Sequence, residues 1–439
     1  MADNTDNRLC PLPDSIYNFT TNMKVAIFLC LIICITLSCQ PPEDRDSAEP
    51  EDVKQVVGTF GYDLEFLDNH LENLILLKDS SDMAQILLAP QYQGRVMTST
   101  AGGEEGKSFG WINYDLISSG EVREHINPYG GEDRFWMGPE GGQFAIFFDE
   151  GDDFVFEDWQ TPAPIDSEAF EVASRHDTEV VFTKNMELQN YSGSSFAVGV
   201  SRKVSLLTRD AVEAALDISL AGDDLQYVAF SSDNQITNTG NTAWKKNTGL
   251  LSIWILGMFV HSPQTTVVIP FNDDPSLQSA LVNDTYFGKV PSERLRVEDG
   301  FIFFKGDGAY RSKIGVSPER ALPIMGSYDA ENKVLTIISF SLPAGETDYV
   351  NSMWEIQNHP YDGDVINSYN DGPLADGSEQ LGPFYELESS SPAAALQPGK
   401  SLSHRHTTMH FMGNDDTLDR LSQEILGIGI AGISQIFSE

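Results

Sequence analysis

The feature that most constrains this chain is a rhythm of short apolar runs cut apart by turn-forming clusters. Residues 74–77, 143–148, 179–182, 266–270, 300–304, 334–340 and 408–411 are runs of four to seven mostly aliphatic or aromatic side chains. Between them fall Asp79-Ser80-Ser81-Asp82, Gly102-Gly103, Gly306-Asp307-Gly308, Asp329-Ala330-Glu331-Asn332 and Pro398-Gly399. Runs of this length suit strands and are too short for ordinary helices. Many of them, with frequent turns, predict an all-β body, a sandwich or a barrel. Few helices are expected, one near residues 62–70 and another at 416–426. In the second, Asn414 or Asp415 acts as cap and Leu418, Leu421 and Ile425 share one face. The apolar, glycine-rich tail from Gly427 reads as a docked strand or a loose end. No linker-like composition interrupts residues 56–413, so one domain is expected there, followed by a helix and tail over 414–439.

Residues 23–39 are of another kind. Lys24 precedes an unbroken apolar run over 25–35. A membrane span needs about 20 residues, whereas a signal-peptide core needs about 7–15. The run ends in Thr36-Leu37-Ser38-Cys39, which resembles the lipobox of bacterial lipoproteins, with Thr36 where a leucine is usual. The resemblance implies a signal peptide over 23–38, cleavage before Cys39 and a lipid on that cysteine. It also implies a cell-envelope location in which the anchor alone meets the membrane. The polar stretch 39–55 cannot bury enough apolar surface to fold and reads as a tether. Residues 1–22 fit no signal-peptide start, so Met23 is the expected first residue.

Composition removes several function classes. The four cysteines are Cys10, Cys30, Cys34 and Cys39. The body after Cys39 therefore has no disulfide, no cysteine metal site and no cysteine nucleophile. A formal net charge of −39 repels phosphate backbones, so no nucleic-acid partner is expected. G-x-S-x-G, P-loop, H-E-x-x-H and dinucleotide fingerprints are missing. Their absence argues against serine hydrolase, NTPase, zincin and nicotinamide chemistry, and no cofactor is expected.

The C-terminal block 382–408 carries Leu387-Glu388, Pro392, Leu396, Pro398-Gly399 and His406-Thr407-Thr408. This order resembles the last strands of the aldose 1-epimerase (galactose mutarotase-like) superfamily, with Lys400 where the family turn has a glutamate. Asn283-Asp284-Thr285-Tyr286-Phe287-Gly288 is similar to that family's Asn-His-x-Tyr-Phe-Asn motif, with Asp284 in place of the histidine. Gln93-Gly94-Arg95-Val96 is similar to its Gly-Gly-Arg-Ile turn. The body also resembles an uncharacterised bacterial lipoprotein family of that superfamily, with landmarks at 109–114, 130–142 and 367–372. The resemblance implies a large antiparallel β-supersandwich with few short helices and a carbohydrate cleft. It also implies proton transfer to and from the sugar by a glutamate and a histidine.

Glu386 and Glu388 sit two apart on an expected strand, so they share a face, and neighbouring carboxylates push their pKa values apart. Both are candidates for acid–base work; the alternative is a solvated strand face. Asp284 is a second carboxylate or a sugar contact, and His359 is the imidazole candidate. Arg95, Asn283, Tyr286, Trp354, Asn367, Tyr369, Asn370 and Asp371 are candidate sugar contacts, with Asn370-Asp371-Gly372 equally readable as a tight turn. Arg311 and Lys313 share a face if they lie on a strand. They suit the carboxylate or sulfate of an acidic sugar, or else guard a sheet edge. His404, His406 and His410 share a strand face, but one strand rarely supplies three ligands in tetrahedral geometry, so no metal is assigned. Trp111, Trp136 and Trp244 read as core. Three functions stay open: a carbohydrate epimerase-like or lyase-like enzyme, a non-catalytic glycan-binding lipoprotein, and a structural envelope protein.

Overall fold

A computed structural model describes residues 56–220, 224–373 and 380–438. The expected segments 1–22 and 23–38, the lipidation residue Cys39 and the tether 39–55 lie outside the described residues. Among the described residues, no helix is long and apolar enough to cross a membrane. Residues 54–439 form one compact unit.

That unit is all-β, built on antiparallel sheets with six short helices. The large sheet has ten strands in the order Leu295–Glu298, Phe301–Lys305, Thr265–Pro270, Ile324–Asp329, Val334–Phe340, Ser401–Met412, Gln226–Asn238, Ser195–Leu206, Glu179–Gln189 and Glu171–Arg175. The small sheet has five, in the order Ser312–Val316, Ile366–Asn370, Tyr385–Ser390, Ser252–Phe259 and Arg134–Gly138. A third sheet pairs Ile75–Lys78, Gln85–Ala89 and Arg95–Thr100. Patterning explains the layers. In Ser195–Leu206 the even-numbered residues, from Phe196 to Leu206, are buried and the odd ones are more exposed, as in a strand with one face on a core. Ser252–Phe259 is buried at every position, as befits an interior strand covered on both faces.

Ile314, Val316, Tyr385 and Leu387 of the small sheet pack with Val267, Ile269, Phe304 and Ile338 of the large one. This layer is the sandwich core. The opposite face of the large sheet is covered by the C-terminal helix Asp415–Leu426, whose Leu418, Leu421 and Leu426 meet Leu335, Ile337, Met409 and Phe411. Asn414 caps that helix by accepting from the Thr417 amide at 3.0 Å. Gly427, at φ +86°, ends it in the left-handed region that glycine adopts freely. The first helix, Phe60–His70, is capped by Thr59 and packs on the third sheet.

Two local expectations are corrected. The tail beyond Gly427 is neither strand nor loose end. It forms the helix Ile430–Gln435, whose Ile430 and Ile433 are buried against the large sheet's outer cluster. The run 143–148 forms no strand, although Ala145, Ile146, Phe147 and Phe148 are buried. Its backbone pairs locally instead, with the Ala145 amide donating to Gly142 and the Ile146 amide to Pro139. Apolarity in a short run reports burial, and burial does not require a ladder.

Candidate functional site

The two faces of the small sheet differ in chemistry. Its register aligns Lys313, Tyr369, Glu386 and Met258 in one row and Asn367, Glu388, Leu256 and Arg134 in the next. Trp254 pairs with Trp136 in the row beyond. Because side chains alternate along a strand, these residues face away from the sandwich core. Most of them line a cleft of about 880 Å³, together with Arg311, Asp371, Glu140, Trp159 and Trp354. This volume lies within the range of small-molecule sites.

One wall of the cleft is aromatic. Trp136 meets Trp254 edge-on at 5.5 Å between ring centroids, Trp159 lies 6.5 Å from Trp136, and Trp354 lies 5.7 Å from Trp159. Phe156 and Phe287 are exposed at the cleft margin. The floor is ionic. Arg134 donates to Glu386 at 3.2 Å and stacks 4.0 Å over Trp136. Glu388 accepts at one oxygen from the Trp254 indole, at 2.8 Å, and from the Lys313 ammonium, at 3.2 Å. Burial pushes the Glu386 carboxyl up to about 8; Arg134 and Lys313 oppose this, while Glu388 and Asp371 reinforce it. Burial also raises Glu140, against the pull of Lys313. Burial likewise raises Asp371, although the Tyr369 hydroxyl and the Gly382 amide both donate to it. For Lys313 burial acts downward, but Glu388, Glu140 and Glu386 outweigh it and hold the ammonium above its ordinary range. The floor thus combines a carboxyl, Glu386, that keeps its proton near neutral pH with a lysine, Lys313, held in its charged form.

A buried frame sets this floor. Arg202 of the large sheet pairs with Asp133 at 2.7 Å, both side chains being fully buried, and Ser232 donates to the second oxygen of Asp133 at 2.8 Å. Asp133 immediately precedes the strand that carries Arg134 and Trp136, so the pair ties that strand to the opposite sheet.

Of the residues singled out from sequence, Glu386, Tyr369, Asp371, Trp354, Arg311 and Lys313 line the cleft. Glu386 and Glu388 do share a face, but they are buried, so the solvated-face alternative falls. Glu388 lies fully buried beneath Trp254 and Lys313. Asn283, Tyr286 and Asn367 are not cleft contacts. Asn283 and Tyr286 donate to Asp364 at 3.1 and 2.6 Å, and Asn367 donates to the Tyr286 hydroxyl at 3.2 Å. This network supports Lys313, whose ammonium sits 5.6 Å from the Tyr286 ring.

Four candidates lie away from the cleft. Asp284 pairs with Lys289 at 2.6 Å. His359 is an exposed surface residue 3.5 Å from Asp362. Asn370 is on the opposite strand face, where its side chain accepts from the Gly308 amide and donates to the Tyr310 carbonyl, fixing a turn. Arg95 is wholly buried beside the stacked rings of Tyr92 and Tyr129 and donates to the Gly130 carbonyl at 2.9 Å; burial and Arg134 lower it to about 9. His404 and His406 both bond to Ser389, and His410 bonds to Glu132 and Thr336.

Sequence reasoning passed over Arg134, Glu140, Trp159, Trp254 and His125; Trp136, read as core, is buried in the main hydrophobic cluster and also borders the cleft. The signal for part of this set was present, since Arg134, Trp136 and Glu140 recur at even spacing in residues 134–140. His125 lines the cleft rim, and its Nδ1 bonds to the Trp159 carbonyl at 2.8 Å. A carbonyl only accepts, so Nδ1 is the donor and Nε2 is the basic nitrogen.

The family model described as a family of unknown function (DUF6786) matches residues 58–437. No curated protein matches the sequence. Among solved structures, the chain is similar to the Slr1438 protein of Synechocystis sp. PCC 6803, at 14% identity and a TM-score of 0.47, covering 78% of this chain and 96% of that one. It is also similar to a galactose mutarotase-like protein from Lactobacillus casei ATCC 334, at 10% identity and a TM-score of 0.43, covering 77% and 100%. A galactose mutarotase related enzyme from Lactobacillus acidophilus shares 7% identity at a TM-score of 0.41, covering 78% and 97%.

Proposed function

Because the chain belongs to this family of unknown function, its activity has to be argued from its own cleft, and we propose that it is an envelope-anchored, carbohydrate-active protein that transfers protons to and from a bound sugar. The observation that carries this reading is a cleft of about 880 Å³ with a tryptophan wall above the Glu386 carboxyl. A sugar offers C–H faces that suit tryptophan and hydroxyls that suit carboxyl, amide and guanidinium groups. An acid with a pKa near the working pH is what general acid catalysis requires. Epimerase-like and lyase-like steps both need a second proton acceptor. Glu140 and the Nε2 of His125 are the groups of the cleft that fill this role. The envelope location rests on the signal-peptide and lipobox reading of residues 23–39.

A second reading, a glycan-binding lipoprotein without turnover, draws support from one observation. His359, the imidazole expected to work beside the glutamates, lies on the surface. Titration of the protein with mono- and oligosaccharides, followed by NMR of each bound sugar, separates the two readings. Proton-transfer activity is expected in the wild type, with the Glu386→Gln variant retaining binding and losing at least about 100-fold in rate. Binding without any conversion favours the second reading. Absence of sugar binding sinks both.

A further inference from the structure

The cleft carries more positive charge than its own ion pairs use. Arg134 and Lys313 are each in contact with one carboxyl group, Glu386 and Glu388. Arg311 has no ion-pair partner among the described residues, and its buried Nε has no hydrogen-bond acceptor. Its guanidinium lies 4.4 Å from the Phe287 ring at the cleft margin. Arg134 uses one nitrogen on Glu386, and its Nε and Nη1 also lack acceptors. In a chain with a formal net charge of −39, an arginine of the cleft left without an ion pair among the described residues needs a reason. The nearest acid along the sheet, Asp371, is engaged by Tyr369 and Gly382 and forms no ion pair with Arg311. Glu140 also lines the cleft and forms no ion pair with Arg311, and the remaining acids of the lining, Glu121, Glu124 and Glu157, sit on loops with Arg123.

We propose that the cleft selects sugars bearing an anionic substituent, a carboxylate or a sulfate, and that Arg311 receives it. This rests on the sugar reading above and names its substrate class. A planar guanidinium donates in parallel to two oxygens of such a group, and the stacking on Phe287 holds it in place without using its donors. Lys313, two residues further along and lining the same cleft, adds a point charge to the approach. Partial exclusion of water strengthens both interactions relative to a surface pair.

The test uses matched pairs in isothermal titration at pH 7. One arm compares hexuronate oligosaccharides with their carboxyl-reduced neutral twins, and the other compares sulfated oligosaccharides with their desulfated twins. The acidic member of at least one pair is expected to bind about tenfold or more tightly, a gap of about 1.4 kcal/mol. Arg311→Met should close most of that gap, Arg311→Lys should keep part of it, and added salt should narrow it. Equal affinity for acidic and neutral twins, or a gap that Arg311→Met leaves intact, overturns the inference and spares the sugar reading. Failure of every twin to bind overturns both. The arm that shows the gap identifies carboxylate or sulfate. Arg311 is only half-buried and forms no ion pair among the described residues, so the variants should melt close to the wild type, which a thermal scan verifies.

Discussion

The Glu386 carboxyl makes a prediction that geometry alone does not. Burial raises it from 4.5 to about 8, over the opposition of Arg134. In the unfolded chain it titrates near the ordinary glutamate value. Below that value both states carry the proton, and the group contributes nothing to pH dependence. Between about 4.5 and 8 the unfolded state loses the proton while the folded state keeps it, so stability falls as pH rises. One pKa unit corresponds to about 1.4 kcal/mol, and the full shift to a loss on the order of 5 kcal/mol once pH passes the folded value.

Glu386→Gln removes this titration with little change of shape, and the carbonyl of the substituted amide would still accept from Arg134. Urea unfolding of wild type and variant from pH 5 to pH 9 isolates the effect of Glu386 and its immediate neighbours, because titrating groups remote from it cancel in the difference. Near pH 5 the two proteins should be close in stability. The variant should then gain on the wild type steadily up to about pH 8 and level off beyond it. A difference that is flat with pH refutes the reasoning. A wild type that gains on the variant as pH rises refutes it more sharply, since that outcome means Arg134 keeps Glu386 ionised in the fold.

Three further predictions concern the frame. Arg202→Met strands the buried Asp133 carboxyl and should cost about 3–5 kcal/mol in urea unfolding. Trp254→Phe removes the indole donor to Glu388 and should cost about 1–3 kcal/mol by thermal melting. Leu421→Ala opens a cavity under the C-terminal helix and should cost about 2–5 kcal/mol, measured by urea unfolding.

The fold was legible where pattern and turn chemistry agree. The run 334–340 alternates with turn clusters and forms a strand of the large sheet. The helix capped by Asn414 was readable because a cap, a 3.6-residue apolar period and a closing glycine coincide. The run 143–148 misled because apolar residues fill a core equally well without a ladder. The tail after Gly427 misled because six residues are too few to display a helical period.

The candidate site was legible only in part, and the reason is the register. Glu386 and Glu388 could be assigned to one face because their spacing within a strand is a local fact. Which residues stand beside them depends on pairings between segments more than 100 residues apart, as Arg134 and Glu386 show. Trp254 was hidden for a different reason. It sits in a strand that is buried at every position and mostly apolar, where alternation gives no sign of which face meets the cleft. Asp284 and His359 came forward through local motif likeness and mixed composition, and neither property determines where a loop side chain comes to rest. The cleft's charge balance is the least local quantity of all. Arg311 looks like an ordinary edge cation in the sequence, and its lack of an ion pair emerges only once Glu386 and Glu388 are seen to be engaged by Arg134 and Lys313. A substrate class argued from that unpaired guanidinium is therefore an argument about pairing across strands, and exchanging Arg311 for methionine tests it without disturbing those two contacts.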